Sequence, residues 1–245
     1  MTHEPEPAQL FTEIRPRHGA RLYELVAEQI GELILSKQLS VGDRLPSEAE
    51  LGDLLSVSRT VLREAIKVLE DKGLVHPERG RGTFVCKPAP ELLASCMNTI
   101  LRVEQCSLAD LLELRRTVEV RTAGLAAACS GDEQTAAIQK RFAELEIQFH
   151  NGAGGFMLAD KGFHVAVARA TGNELTAALV GALMVLTWKL QLIPVQVYPH
   201  SMPHHQAIKE AILAGDRDAA EKAMAAHHDQ IWADLVNAGA ACRKG

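Results

Sequence analysis

The stretch "SVSRTVLREAIKVLEDKGLVHPERGRGTFV", residues 56 to 85, constrains the fold of this chain more than any other. It joins a strongly patterned helix directly to two short β patterns. Leu62, Ala65, Ile66 and Leu69 recur at helical spacing and make an inner face. Arg59, Arg63 and Lys67 recur every four residues on another face. Ser58 is placed to cap this helix, and Gly73 to stop it after about Lys72. "LVHPERGRGTFV" then predicts two strands around an Arg79-Gly80-Arg81-Gly82 turn.

Two helix patterns precede it. Over residues 20–37, Leu22, Val26, Ile30, Leu33 and Ile34 are spaced for one buried face. Ser47, with Glu50 three residues on, forms a capping box, and Leu51, Leu54 and Leu55 follow as the inner face of a second helix. Three helices and then a hairpin make a winged helix-turn-helix. In such a unit Ser58, Arg59 and Thr60 sit at a helix N-terminus, where free amides favour an anion. Arg59 and Arg63 can fork onto guanine edges in the major groove. The Arg79–Gly82 tip can enter the minor groove or grip phosphates. The chain carries a net charge of -5, so any nucleic-acid partner must be met by a local patch. Residues 59–87 supply one, with seven basic side chains against four acidic. That excess is modest, and spacing alone also fits a solvated helix face.

After residue 91 every periodic segment is helical, over about 91–103, 107–129, 133–149, 156–170, 173–192, 203–214 and 217–238. An aromatic content of 4% agrees with helices rather than sheets. The expected fold is mainly α: a winged helix-turn-helix at 12–86, a linker at 87–91, and an all-α antiparallel bundle of six to seven helices at 92–240. The longest apolar stretch, "LVGALMVLTWKLQLIPVQV", is broken by Lys189, Gln191 and Pro194, so it suits a buried helix better than a membrane span. Five cysteines without a C-x-x-C pair, and a start with no apolar signal core, predict a reduced, cytoplasmic protein.

The bundle carries a second constellation. Asp160 and His164 share a helix face with Phe156, Phe163 and Val167. His205 shares a face with Ile208 and Ile212, and His227 with Ala220, Met224, Ile231 and Leu235. A single inward histidine is usually a satisfied core residue, but four converging polar groups each need a partner. One carboxylate and three imidazoles suit zinc, with nickel or manganese as alternatives. His204 and His228 adjoin the candidates and are expected to face solvent or to line the pocket second. Arg115 lies on an apolar stripe with Leu108, Leu111, Val118, Thr122 and Leu125, so it needs an anion. That anion is either Asp160 or Glu119 inside the chain, or a bound carboxylate. Asn173, after Gly172, either caps the next helix or touches that ligand.

The words "GDRLPSEAEL", "SVSRTVLREAIKVLEDKGLV" and "RGRGTFV" strongly resemble the GntR family of bacterial transcription regulators. The resemblance implies DNA contacts from Arg59, Thr60 and Arg63, from Gly80 and its neighbours, and from the turn carrying Arg44 and Ser47. Many relatives have arginine after the "PSE" motif, where this chain has Ala49. "LLELRRTVEVRTAGLAAA", "ADKGFHVAVARATGNEL" and "HHQAIKEAILAGDRDAAEKAMAAHH" resemble the FadR-type branch, whose helical C-terminal domain is called FCD. That resemblance implies a metal at Asp160, His164, His205 and His227, and a carboxylate effector reached by Arg115. It implies a homodimer that binds a short palindromic operator, represses a metabolic operon and answers to a small organic acid, with no membrane partner and no enzymatic activity. The competing readings are a metal-dependent enzyme, a regulator that senses the metal itself, and an acyl-CoA sensor.

Overall fold

The structure is a computed structural model that describes residues 10–14, 21–129, 131–151, 153–189 and 200–237. The chain separates into two compact units, Met1–Leu92 and Leu93–Gly245.

The first unit contains α1 (Leu22–Leu35), α2 (Glu48–Leu55), α3 (Arg59–Asp71), β1 (Val75–Glu78) and β2 (Gly82–Val85). The apolar faces read from the sequence meet in one core of Val26, Ala27, Ile30, Leu33, Leu51, Leu55, Leu62, Ala65 and Leu69. The capping box forms: Glu50 N donates to Ser47 Oγ at 3.3 Å, and Ser47 N donates to Glu50 Oε2 at 2.8 Å. Ser58 caps α3 by accepting from Val61 N. β1 and β2 pair antiparallel, with Val75 opposite Val85 and Glu78 opposite Gly82. The turn before α2 is tied to this hairpin, since Leu45 N donates to the Thr83 carbonyl and Val85 N to the Asp43 carbonyl, both at 2.9 Å. Gly73 ends α3 with a φ of +67°, and a Cβ there would lie 3.1 Å from Pro88 Cα, so the exit needs glycine on both counts.

Two expected boundaries shift. Phe11, one residue before the expected start at 12, is buried in the winged-helix core. The expected linker 87–91 is shorter, because α4 (Pro90–Val103) already starts at Pro90; proline suits the first helical position, where its missing N–H costs nothing.

Among the described residues, the second unit is a bundle of α4, α5 (Leu108–Cys129), α6 (Asp132–Asn151), α7 (Ala153–Arg169), α8 (Glu174–Lys189), α9 (Ser201–Leu213) and α10 (Arg217–Asn237). Helix α7 begins inside the glycine run expected to be a loop, and α9 begins two residues early, with Pro203 in its first turn. Residues 190–192, expected to end the eighth helix, and residues 238–240, expected to end the domain, lie outside the described residues. Helix α5 packs against α7, α8, α9 and α10, and α9 packs against α6 and α10. Their shared core includes Ala123, Phe142, Leu145, Phe156, Phe163, Val167, Ile208 and Met224. No described helix is long and apolar enough to cross a membrane.

Candidate metal centre and nucleic-acid interface

The bundle core contains the polar groups that the helical stripes predicted. Asp160, His164, His205 and His227 are all buried, between 0% and 6% exposed. Phe163 is edge-on to both His164 and His205 and walls one side. One ligand atom from each of His164, His205 and His227 lies within 4.8 Å of the others. His164 Nε2 is 3.3 Å from His205 Nε2. Two ligands about 2.0–2.1 Å from one ion at a tetrahedral angle lie roughly 3.3 Å apart. Asp160 Oδ1 adds a carboxylate 2.9 Å from His205 Nε2 and 3.6 Å from His164 Nε2.

The outer nitrogens fix what these groups present. His205 Nδ1 donates to the Ser201 carbonyl at 2.8 Å, one turn back on α9. In the neutral ring its Nε2 therefore carries a lone pair, aimed at a carboxylate oxygen. Two acceptors at 2.9 Å repel unless a proton or a cation sits between them. The donor set of three imidazoles and one carboxylate fits a divalent transition metal.

Electrostatics agree with this. In the metal-free chain burial alone would raise the Asp160 carboxyl, but a proton between it and His205, with the nearby positive charges of His164 and Arg115, holds it below the usual carboxylate value; a cation would take that proton's place. Burial pushes the His227 imidazole well below its ordinary value, and His205 and His164 add to the effect, so this ring stays neutral and ready to ligate. Burial also lowers His164, but Glu119 and Asp160 outweigh it and raise that ring.

Arg115 is 1% exposed, and its anion is internal. Its Nε donates to Glu119 Oε1 at 2.8 Å, and its Nη1 reaches Thr187 Oγ1 at 3.4 Å. Of the alternatives the sequence left open, the Glu119 pair is the one formed in this structure. Glu119 is equally buried, and its carboxyl is held well below the usual range: Arg115 and His164 overcome the cost of burial. His228 is not solvent-facing. It is 5% exposed, with Nε2 3.8 Å from Glu119 Oε2, so it lines the pocket, while His204 is half-buried. Asn173 caps α8, accepting from Leu175 N at 3.0 Å and Thr176 N at 3.2 Å, and is exposed. This geometry is that of the cap rather than of a pocket residue.

On the winged helix, Arg44, Ser47, Ser58, Arg59, Thr60 and Arg63 are exposed, as are Arg79, Gly80 and Arg81 at the wing tip, with Gly82 half-buried. Ser47 and Ser58 spend their lone pairs on capping, yet each keeps a hydroxyl hydrogen to offer a phosphate. Gly82 has a φ of +115°, and a Cβ there would come 2.7 Å from Arg44 Nε; glycine is what lets Arg44 lie across the hairpin. Arg81 pairs with Glu78 and lies over the Phe84 ring. Arg63 Nε donates to Glu48 Oε2 at 2.8 Å, a contact between α3 and α2 that the helical spacing could not show.

A winged helix joined to a helical bundle with a buried polar pocket defines a DNA-binding transcription regulator. Residues 22–85 match the model of the bacterial regulatory proteins of the gntR family, and residues 110–230 match the FCD domain. The chain belongs to the GntR family and carries an FCD domain. A protein named as regulator of the L-lactate dehydrogenase operon in Escherichia coli (strain K12) is 34% identical over 221 residues, which cover 84% of this chain and 83% of that one. The HTH-type transcriptional repressor NanR of Citrobacter rodentium (strain ICC168) is 30% identical over 242 residues, 94% of this chain and 92% of its own. The solved structure of Streptococcus agalactiae GntR superposes with a TM-score of 0.67 at 28% identity, over 85% of this chain and 98% of that one. These relatives are transcription regulators and not enzymes.

Proposed function

We propose that this regulator is a homodimeric repressor whose bundle holds a divalent metal, zinc first, between Asp160, His164, His205 and His227, and that a small organic acid bound beside the metal releases it from a short palindromic operator. The observation that carries this reading is the approach of His205 Nε2 to Asp160 Oδ1 at 2.9 Å while His205 Nδ1 is already committed to a carbonyl. The charge balance points the same way. The pocket buries one guanidinium against two carboxylates, so it is one negative charge in excess when its imidazoles are neutral. A divalent cation reverses that excess, and an anionic carboxylate then completes the neutralisation.

The metal supplies a Lewis-acidic anchor for the acid. The chain's own residues orient the ligands, exclude water through Phe163, and present the remaining guanidinium edge of Arg115. On the DNA side, Arg59, Thr60 and Arg63 read base edges, while Arg44, Ser47, Ser58 and the wing tip at Arg79, Gly80, Arg81 and Gly82 meet phosphates or the minor groove. A bulky acyl chain is a poorer fit, because the same core is taken by the polar cluster.

The test is operator binding followed by fluorescence anisotropy, with zinc-loaded and chelated protein, across a panel of small carboxylates. The panel includes L-lactate, since one relative is named for that operon. Release by an acid only from the zinc-loaded protein is expected. Equal release from both forms would remove the metal from the mechanism.

A further inference from the structure

Glu119 touches both the buried arginine and a proposed metal ligand. Its Oε1 accepts from Arg115 Nε at 2.8 Å, and its Oε2 lies 2.5 Å from His164 Nδ1. Both partners are buried as fully as Glu119 itself. The three histidines differ in what stands behind them. His205 is backed by a neutral carbonyl, Ser201. His164 Nδ1 and His227 Nδ1 are both buried without a hydrogen bond of good geometry among the described residues, but His164 Nδ1 is in ion-pair contact with a carboxylate. His164 is backed by a carboxylate.

We infer that Glu119 is a positioning residue for the metal site: it holds the His164 ring with Nδ1 turned outward and Nε2 turned to the ion, and it ties that ring to Arg115. This rests on the metal reading above. A carboxylate behind an imidazole fixes which nitrogen faces the metal and makes the ring a stronger donor. Arg115 in turn pins the carboxylate, so the guanidinium offered to an effector and the nitrogen offered to the metal are joined by one side chain. His228, whose Nε2 approaches the same oxygen at 3.8 Å, completes the ring of groups around it.

Glu119→Gln keeps the shape and removes the charge. Its zinc dissociation constant, measured by competition with a chromophoric chelator, is expected to rise about tenfold to a hundredfold. The visible spectrum of the cobalt-substituted protein is expected to shift, because one ligand has changed its donor strength. Glu119→Gln also leaves Arg115 unpaired beside the ion, which could weaken metal binding by repulsion alone. The double variant Arg115→Met/Glu119→Gln removes both buried charges and separates the two causes. If zinc stays weak and the cobalt spectrum stays shifted in the double variant, Glu119 acts on His164. If both return to wild-type values, it merely neutralises Arg115, and the inference is overturned. Thr187→Val, which loosens Arg115 but leaves Glu119 on His164, is expected to keep wild-type zinc affinity. A wild-type protein that takes up no zinc overturns the metal reading and this inference with it. A wild type that binds zinc as tightly as Glu119→Gln does overturns this inference alone.

Discussion

His205 Nε2 stands 2.9 Å from Asp160 Oδ1 in the core of the bundle, with the far nitrogen of the same ring donating to the Ser201 carbonyl. The metal reading of the C-terminal domain rests on that close approach of an imidazole nitrogen to a carboxylate.

Asp160→Ala and His205→Ala are each expected to lose bound metal when purified protein is assayed by elemental analysis. Either variant that keeps the wild-type stoichiometry places the ion elsewhere. Operator binding without effector is expected to survive in both, because neither residue belongs to the winged helix.

Arg59→Ala is expected to weaken operator binding roughly tenfold to a hundredfold while leaving metal content and thermal stability unchanged. Arg59 is exposed on the first turn of α3, so nothing in the fold depends on it. Retained tight binding would remove α3 from the base-reading role.

Ala49 is exposed on the first turn of α2, where many relatives carry arginine. Ala49→Arg is expected to tighten DNA binding and to steepen its dependence on salt by about one counterion. An unchanged salt slope would mean that this turn lies away from the phosphates.

Asn173→Ala is expected to cost about 1 kcal/mol of stability, the usual loss for a helix cap, with the response to organic acids intact. A lost response at unchanged stability would return Asn173 to the effector pocket.

The inward placement of Asp160, His164, His205 and His227 is legible in the sequence, and the reason is periodic. Phe156, Asp160, Phe163, His164 and Val167 fall on one side of a helix, so burial of the aromatics dictates burial of Asp160 and His164. Likewise Ile208 and Ile212 carry His205 inward, and Met224 and Ile231 carry His227. Contacts between elements were not legible. The pairing of Glu48 with Arg63 spans α2 and α3, and that of Glu119 with His164 spans α5 and α7; no local pattern encodes either. The Arg115–Glu119 pair lies at i,i+4 on one helix, yet the sequence left Asp160 as an equal candidate for the arginine's partner. Of the two places the sequence allowed His228, solvent or the pocket wall, the structure has the second, because helix α10 packs against both α5 and α9 and adjacent histidines can both be buried. The α7 start at Ala153 was hidden by glycines, which disfavour a helix locally but yield where the helix packs against α6.

The chelated protein is expected to lose stability as pH falls below the ordinary histidine value. His227 and His228 both have folded-state values below 6.5, burial being the largest cause. The unfolded chain therefore binds protons near pH 6 that the folded chain does not, and acid favours unfolding. His164 is shifted the other way and offsets part of the effect. Tm measured between pH 7.5 and 5.5, roughly one unit either side of the histidine range, is expected to fall. A rising Tm would mean that the rings are paired with anions more strongly than they are buried.

The most direct test of the account is a thermal-shift screen of small organic acids against the two-domain protein, zinc-loaded and chelated in parallel. An acid present at a hundred times its dissociation constant adds about 2.7 kcal/mol, a shift of several degrees for a chain of this size. The account predicts that at least one acid stabilises the zinc-loaded protein and leaves the chelated protein unmoved. An acid that stabilises both forms equally would contradict it, leaving Arg115 and its neighbours to recognise the effector without the metal.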